Sequence, residues 1–493
     1  MIIDKTTYKD KEENQNGMTA DHTSRPDKVL FFADPHFLFF KSRPTLHTLA
    51  SRTSRHTDQN LPKSAIQPTH KRNSNYLNLN IKYMNKVIQT LYVFAVIILL
   101  ASCGNSGKKT NEKTPTKDSI EVETIKPTVN VYIENSGSMD GYVKGVTEFE
   151  QTVYNYLTDI KISQFADSLN LFYINSDIIP QGSDISDFIE KLEPTTFKNR
   201  GGKRGTTDIS NLLKSVLDET NPNEIAILVT DGIFSPGKGK NAEQYLVNQQ
   251  IGIKSNMAEY LKKNPNSSVI IYQLSSQFDG LYYNHEDNGT KINEQRPYYI
   301  WVIGENQLLN GLVQKVPENK FKGNGAQNVF SITGGPKAVD YAVKMGSGNF
   351  DLDKKEPKTT IENLKKESKG KQNTARFSVN ANLSGFLLSD NYISDVSNYE
   401  MNNKDYSLTI SKAVSNNFGY THQLNFESGS VHKGLISVKL KTQIPAWVED
   451  INDDNGATPV SGKTYGIKYQ IHGIYEAFTI MNNYYTEIKI KIN

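Results

Sequence analysis

Three short segments, far apart in the chain, carry the side chains with which this protein could hold a cation. The first is Glu134-Asn135-Ser136-Gly137-Ser138-Met139, directly after the apolar stretch 129–133. The second is Gly205-Thr206-Thr207-Asp208, which opens a helix-like stretch. The third is Thr230-Asp231-Gly232, which ends the apolar run 225–229. Mg²⁺ prefers oxygen ligands in near-octahedral geometry and keeps several of its waters. Hydroxyls at 136 and 138, a third at 207, and carboxylates at 134 and 231 form such an oxygen set, with Gly137 expected to let the backbone turn between the two serines. One coordination position would remain open for an acidic group. Taken singly, each segment reads as an ordinary turn or loop start; their order, spacing and shared position at strand ends argue for one site.

The elements needed to bring them together are legible. Val146, Phe149, Val153, Leu157 and Ile160 recur at helical spacing, as do Ile209, Leu212, Leu213, Val216 and Leu217. Leu169 to Ile174, Val269 to Leu274 and Tyr299 to Ile303 read as strands. A long helix is expected from about Ala242 to Lys263, interrupted near Gly252, and a last one on Leu308, Leu309, Leu312 and Val316. The polar segment 276–296 reads as an insertion or a long hairpin. This alternation predicts an α/β fold with a doubly wound, mostly parallel sheet, in which ligands bind beyond the carboxyl ends of the strands. The start of the helix after Thr207 would favour anions there.

Glu134, Ser136, Ser138, Thr207 and Asp231 resemble the metal-ion-dependent adhesion site of the von Willebrand factor A domain, whose pattern is Asp-x-Ser-x-Ser, then a Thr after a Gly-rich loop, then an Asp in Thr-Asp-Gly. The resemblance spans 128–316. It implies a bound Mg²⁺ (or Mn²⁺ or Ca²⁺) and a protein or glycan partner with an acidic group. The chain departs from the pattern at Glu134, where the family carries Asp. Two basic, Gly-rich loops, 198–204 and 235–240, would rim the site, either as an electropositive collar or as solvated, mobile loops.

The chain has 493 residues and one cysteine, which excludes an internal disulfide. That cysteine, Cys103, follows a basic start at Met84-Asn85-Lys86 and an uncharged run 87–102 that ends in Leu-Ala-Ser. The arrangement reads as a secretory signal, and the run is shorter than the roughly 20 residues of a membrane span. Leu100-Ala101-Ser102-Cys103 resembles the bacterial lipobox, which implies lipid on Cys103, a bacterial cell-envelope location and, without an Asp directly behind the cysteine, the outer membrane. Met84 is then the expected start, residues 1–83 an over-extended or disordered N-terminus, 84–102 the signal peptide and 103–126 a flexible tether.

Beyond residue 86 the chain holds 42 basic and 45 acidic side chains, so charge does not mark a nucleic-acid binder. The four histidines in that part, His285, His422, His432 and His472, lack the spacing of a zinc site. After an α/β domain at 127–320, period-two alternation (Ile436, Val438, Leu440; Ile488, Ile490, Ile492) predicts an all-β sandwich-like domain over 327–493, with a poorly ordered loop at 351–373. The acidic segment 449–456 reads as a solvated turn, not a calcium loop, since its glycine is one place late and Ser461 stands where a Glu is needed. Trp447 is expected in the core. The expected function is non-enzymatic: a lipid-tethered adhesion-type module. The alternatives are a metal-dependent hydrolase using the same residues and a scaffold with a degenerate site.

Overall fold

The computed structural model describes residues 126–205, 208–369, 372–414 and 419–493. The signal, lipidation and tether readings at 1–125, and Thr207, lie outside the described residues. No helix among the described residues is long and apolar enough to cross a membrane.

A seven-stranded sheet forms the first half. Its strands are β1 (Thr128–Glu134), β2 (Ser168–Ile174), β3 (Ile178–Gly182), β4 (Glu224–Thr230), β5 (Ser267–Tyr283), β6 (Gly289–Glu305) and β7 (Asn328–Thr333), in the order β3-β2-β1-β4-β6-β5-β7. The apolar runs in β1 and β4 are buried on both faces, as interior strands require. Val129, Val131, Ile133, Ile225, Ile227 and Val229 face one core, while Tyr132, Ala226 and Leu228 face the other. Helices α1 (Glu148–Ile162) and α4 (Asn306–Lys315) cover the first face; α2 (Ile209–Asp218), α3 (Ala242–Lys263) and α5 (Ile467–Thr479) cover the second.

The expected mostly parallel sheet is present only at its centre. β2, β1 and β4 run parallel, whereas β3 on one side and β6, β5 and β7 on the other pair antiparallel. The cause is the segment 276–296, which is a continuation of both strands rather than an insertion between them. β5 and β6 form one long hairpin, paired from Ser267↔Glu305 out to Tyr283↔Gly289. Helix α3 is also uninterrupted. Gly252 lets it lie close to α2, since a Cβ there would collide with the Ser210 hydroxyl.

The later part holds the expected alternating strands. One sheet contains Tyr399–Met401, Gly434–Lys441, Tyr484–Ile492, Thr360–Lys365 and Asn349–Leu352; the other contains Glu367–Lys369, Gln372–Ala381, His422–Ser428 and Ser407–Lys412. They enclose a third core with Phe377, Phe426, Ile436, Val438, Ile488 and Ile490. Three expectations need correction. Asn349–Leu352, Thr360–Lys365 and Glu367–Lys369 are strands, joined by a turn at 353–359, where a loop was expected. The region 327–493 is not all β, because it contains α5. Nor is it set apart, because β7 is the edge strand of the seven-stranded sheet and α5 fills that sheet's second core. The reason is packing: Ile467, Ile471 and Ile474 on α5 are fully buried there, and Gly473 allows close approach to α3.

Candidate metal centre

β1 and β4 are parallel neighbours paired from Thr128↔Glu224 to Ile133↔Val229, so their carboxyl ends present Glu134 and Asp231 side by side. Glu134 is 1% exposed, Asp231 0% and Ser136 4%, while Ser138 is partly exposed. The Thr230 hydroxyl donates to Glu134 Oε2 and accepts from the Gly232 amide at 2.9 Å. Asp231 Oδ1 accepts from the Ile233 amide at 3.0 Å, whereas Asp231 Oδ2 is buried without a hydrogen-bond partner. Ser136 Oγ and Ser138 Oγ lie 3.0 Å apart on a short 3₁₀ turn, Gly137–Gly141.

Burial pushes the Asp231 carboxyl above the ordinary range, against the Ser138 side chain, the Ile233 amide and the Arg296 guanidinium, which favour the charged form. Arg296 is itself buried, donating to the carbonyls of Val460 at 2.7 Å and Lys463 at 2.8 Å. A buried carboxylate oxygen with no donor is costly unless a positive charge meets it.

The donor set fits a hard cation. Two cis ligands at about 2.1 Å from Mg²⁺ lie ~3.0 Å from one another, which is the separation of the two serine hydroxyls. Asp231 Oδ2 supplies an acceptor in need of a charge. The Asp208 carboxylate is used elsewhere, capping α2 through the Asn211 amide at 3.0 Å. Among the described residues no three His, Cys, Asp or Glu side chains gather at metal-binding distance, so any centre here depends on hydroxyls.

The backbone turns at Gly137 as expected, with no positive φ there; Gly232, after β4, does adopt one, at φ +65°. The basic rim is largely tied down. Arg204 and Lys198 both pair with Asp140, Arg200 lies over the Tyr173 ring, and Lys240 over the Tyr245 ring. Lys203 and Lys238 are exposed and join no ion pair among the described residues.

Two elements that the spacing did not reveal pack against the centre. The outer half of the β5–β6 hairpin lies across the 137–141 turn, with Phe278 against Gly141 and the Tyr283 ring beside Gly137. The segment before α5 closes another side. His285 N donates to Gly456 O at 2.9 Å, Tyr299 Oη bonds Thr464 Oγ1 at 2.9 Å, and Gln470 Nε2 donates to Gly232 O at 2.5 Å. Three carboxylates of the acidic segment 449–456 have partners within the segment or on α5. Asp453 accepts from the amides of Asn455 and Gly456, and Lys468 pairs with Asp454 and Glu449. Asp453 is buried in a short strand, Asn452–Asp453, while Glu449, Asp450, Asp454 and Asn455 are exposed, as a solvated turn requires. Trp447 packs against the second core.

Compared with known proteins, the chain matches no family model, no curated protein and no solved structure.

Proposed function

We propose that this protein is a non-enzymatic binding module that takes a divalent cation, Mg²⁺ before Mn²⁺ or Ca²⁺, and presents it to an acidic group on a protein or glycan partner. Ser136, Ser138 and Asp231 hold the ion, with Thr207 and Glu134 completing the set directly or through water. The observation that carries this reading is the pair of serine hydroxyls 3.0 Å apart next to a buried carboxylate oxygen that nothing bonds. The parallel trio β2-β1-β4, with all described members of the set at its carboxyl ends, supports the likeness to a von Willebrand factor A domain. The antiparallel flank β6-β5-β7 is a departure from that likeness. Lipid on Cys103 would hold the module on the cell envelope, with the outer membrane as the favoured site.

Isothermal titration of the full chain with Mg²⁺ tests the reading. Wild type is expected to bind one ion, and Ser138→Ala to bind at least about tenfold more weakly, the loss of a single good ligand interaction of about 1.4 kcal/mol. Identical titrations, or no binding by wild type, would sink the proposal. A phosphatase and esterase panel on the Mg²⁺-loaded protein separates binding from hydrolysis; turnover abolished by Ser138→Ala would move the site to the hydrolase reading.

A further inference from the structure

The loop 198–204 looks in sequence like part of a basic rim. In the structure Arg204 turns inward, its side chain only 17% exposed. Its Nε donates to Asn135 O at 2.6 Å and its Nη2 to Ser136 O at 3.0 Å, and the same Nη2 pairs with Asp140. Its own carbonyl accepts from the Gly137 amide at 3.0 Å, and its guanidinium lies 5.6 Å from the Phe197 ring centre. One residue therefore grips consecutive peptide groups of the serine turn from both backbone and side chain. Asn175 makes a second link nearby, donating to Asn135 Oδ1 at 2.6 Å and Gly201 O at 3.0 Å.

The geometry points to Arg204 as a positioning residue that sets the affinity and selectivity of the cation centre, by locking the serine turn to the loop that leads to Thr207. This rests on the reading above. A planar fork is needed, because two adjacent carbonyls and a carboxylate must be met at once; a lysine presents one point charge. Asp140, held also by Lys198 at 3.3 Å, balances the guanidinium so that it does not repel the ion. Rigid placement matters most for Mg²⁺, which demands near-ideal octahedral geometry, and least for Ca²⁺, which accepts irregular shells.

The test uses the full chain, with Mn²⁺ affinity from electron paramagnetic resonance, Mg²⁺ and Ca²⁺ affinities by competition, and the melting temperature in EDTA. Arg204→Lys and Arg204→Gln are expected to bind Mg²⁺ at least tenfold more weakly and to shift the Mg²⁺/Ca²⁺ preference about tenfold toward Ca²⁺. Asp140→Asn is expected to weaken both ions alike, by leaving a cation unbalanced. The Arg204→Lys variant keeps the charge and guards against a misfolded Arg204→Gln. If both Arg204 variants bind as wild type, or lose Mg²⁺ and Ca²⁺ equally, the clamp is overturned while the centre stands. If wild type binds no cation that Ser138→Ala abolishes, centre and clamp fall together.

Discussion

Asp231 concentrates the electrostatic cost of the centre. Its folded carboxyl is raised above the unfolded value by burial. Protonation therefore favours the folded state, and cation-free stability must fall as pH rises from the ordinary carboxylate range through the raised value. Asp231→Asn should remove that slope and stabilise the protein in EDTA at pH 8 by about 1–3 kcal/mol, the usual cost of a buried unsatisfied group. Urea midpoints at pH 5 and pH 8 measure it; a variant weaker than wild type at pH 8 would contradict the account. Mg²⁺ should reverse the order, because the ion needs the charged carboxylate. Glu150, half-buried and pushed up to about 7, adds a slope of the same sign between the ordinary range and neutrality. Glu150→Gln separates the two contributions. At this scale the meeting of the serine turn with Asp231 was legible, because both segments follow apolar runs that become parallel neighbours. Arg204 was not, because a basic residue in a glycine-rich loop reveals its charge but not its partner.

Among the elements, glycines decide how closely helices and the hairpin approach the sheet. A Cβ on Gly473 would stand 2.8 Å from Gln250 O of α3, and one on Gly280 would stand 2.7 Å from the Gly141 backbone. Neither backbone atom can turn aside, so Gly473→Ala and Gly280→Ala should each cost about 1–3 kcal/mol by overpacking. Gly137→Ala meets only ordinary contacts, 3.4 Å to Tyr283 and 3.7 Å to Arg204, and should change stability by less than about 0.5 kcal/mol. Chemical denaturation ranks the three; equal losses would mean that space does not set these glycines. Strands β1 and β4 could be read from their apolar runs, and α1 and α2 from helical spacing. The direction of β5 and β6 could not, since an apolar run looks the same parallel or antiparallel; the polar segment 276–296 left both an insertion and a long hairpin open, and the hairpin is what forms.

In the whole molecule, the described parts are joined too tightly to behave as separate bodies. Tyr485 donates to Ser331 O of β7 at 3.0 Å and accepts from the Lys337 amide at 2.8 Å, while α5 sits in the second core of the seven-stranded sheet. A fragment ending at residue 320 should therefore fail to fold cooperatively, lacking β7 and α5. Ile471→Ala, at a fully buried position, should cost about 2–5 kcal/mol and lower a single melting transition seen by calorimetry. Two separable transitions would refute this. The change to period-two alternation near residue 327 correctly marked new strands, but sequence pattern cannot show that a later helix returns to an earlier sheet, because that depends on contacts more than two hundred residues apart, such as Gln470 with Gly232.

The strand Tyr484–Ile492 lies between Gly434–Lys441 and Thr360–Lys365, in the middle of its sheet. During synthesis from the amino end, neighbours on both sides emerge long before the strand that joins them. Until it arrives, one edge of Gly434–Lys441 is unpaired and the third core lacks Ile488 and Ile490. The sheet therefore closes late: Tyr484–Ile492 must pair Gly434–Lys441 antiparallel and Thr360–Lys365 parallel at once.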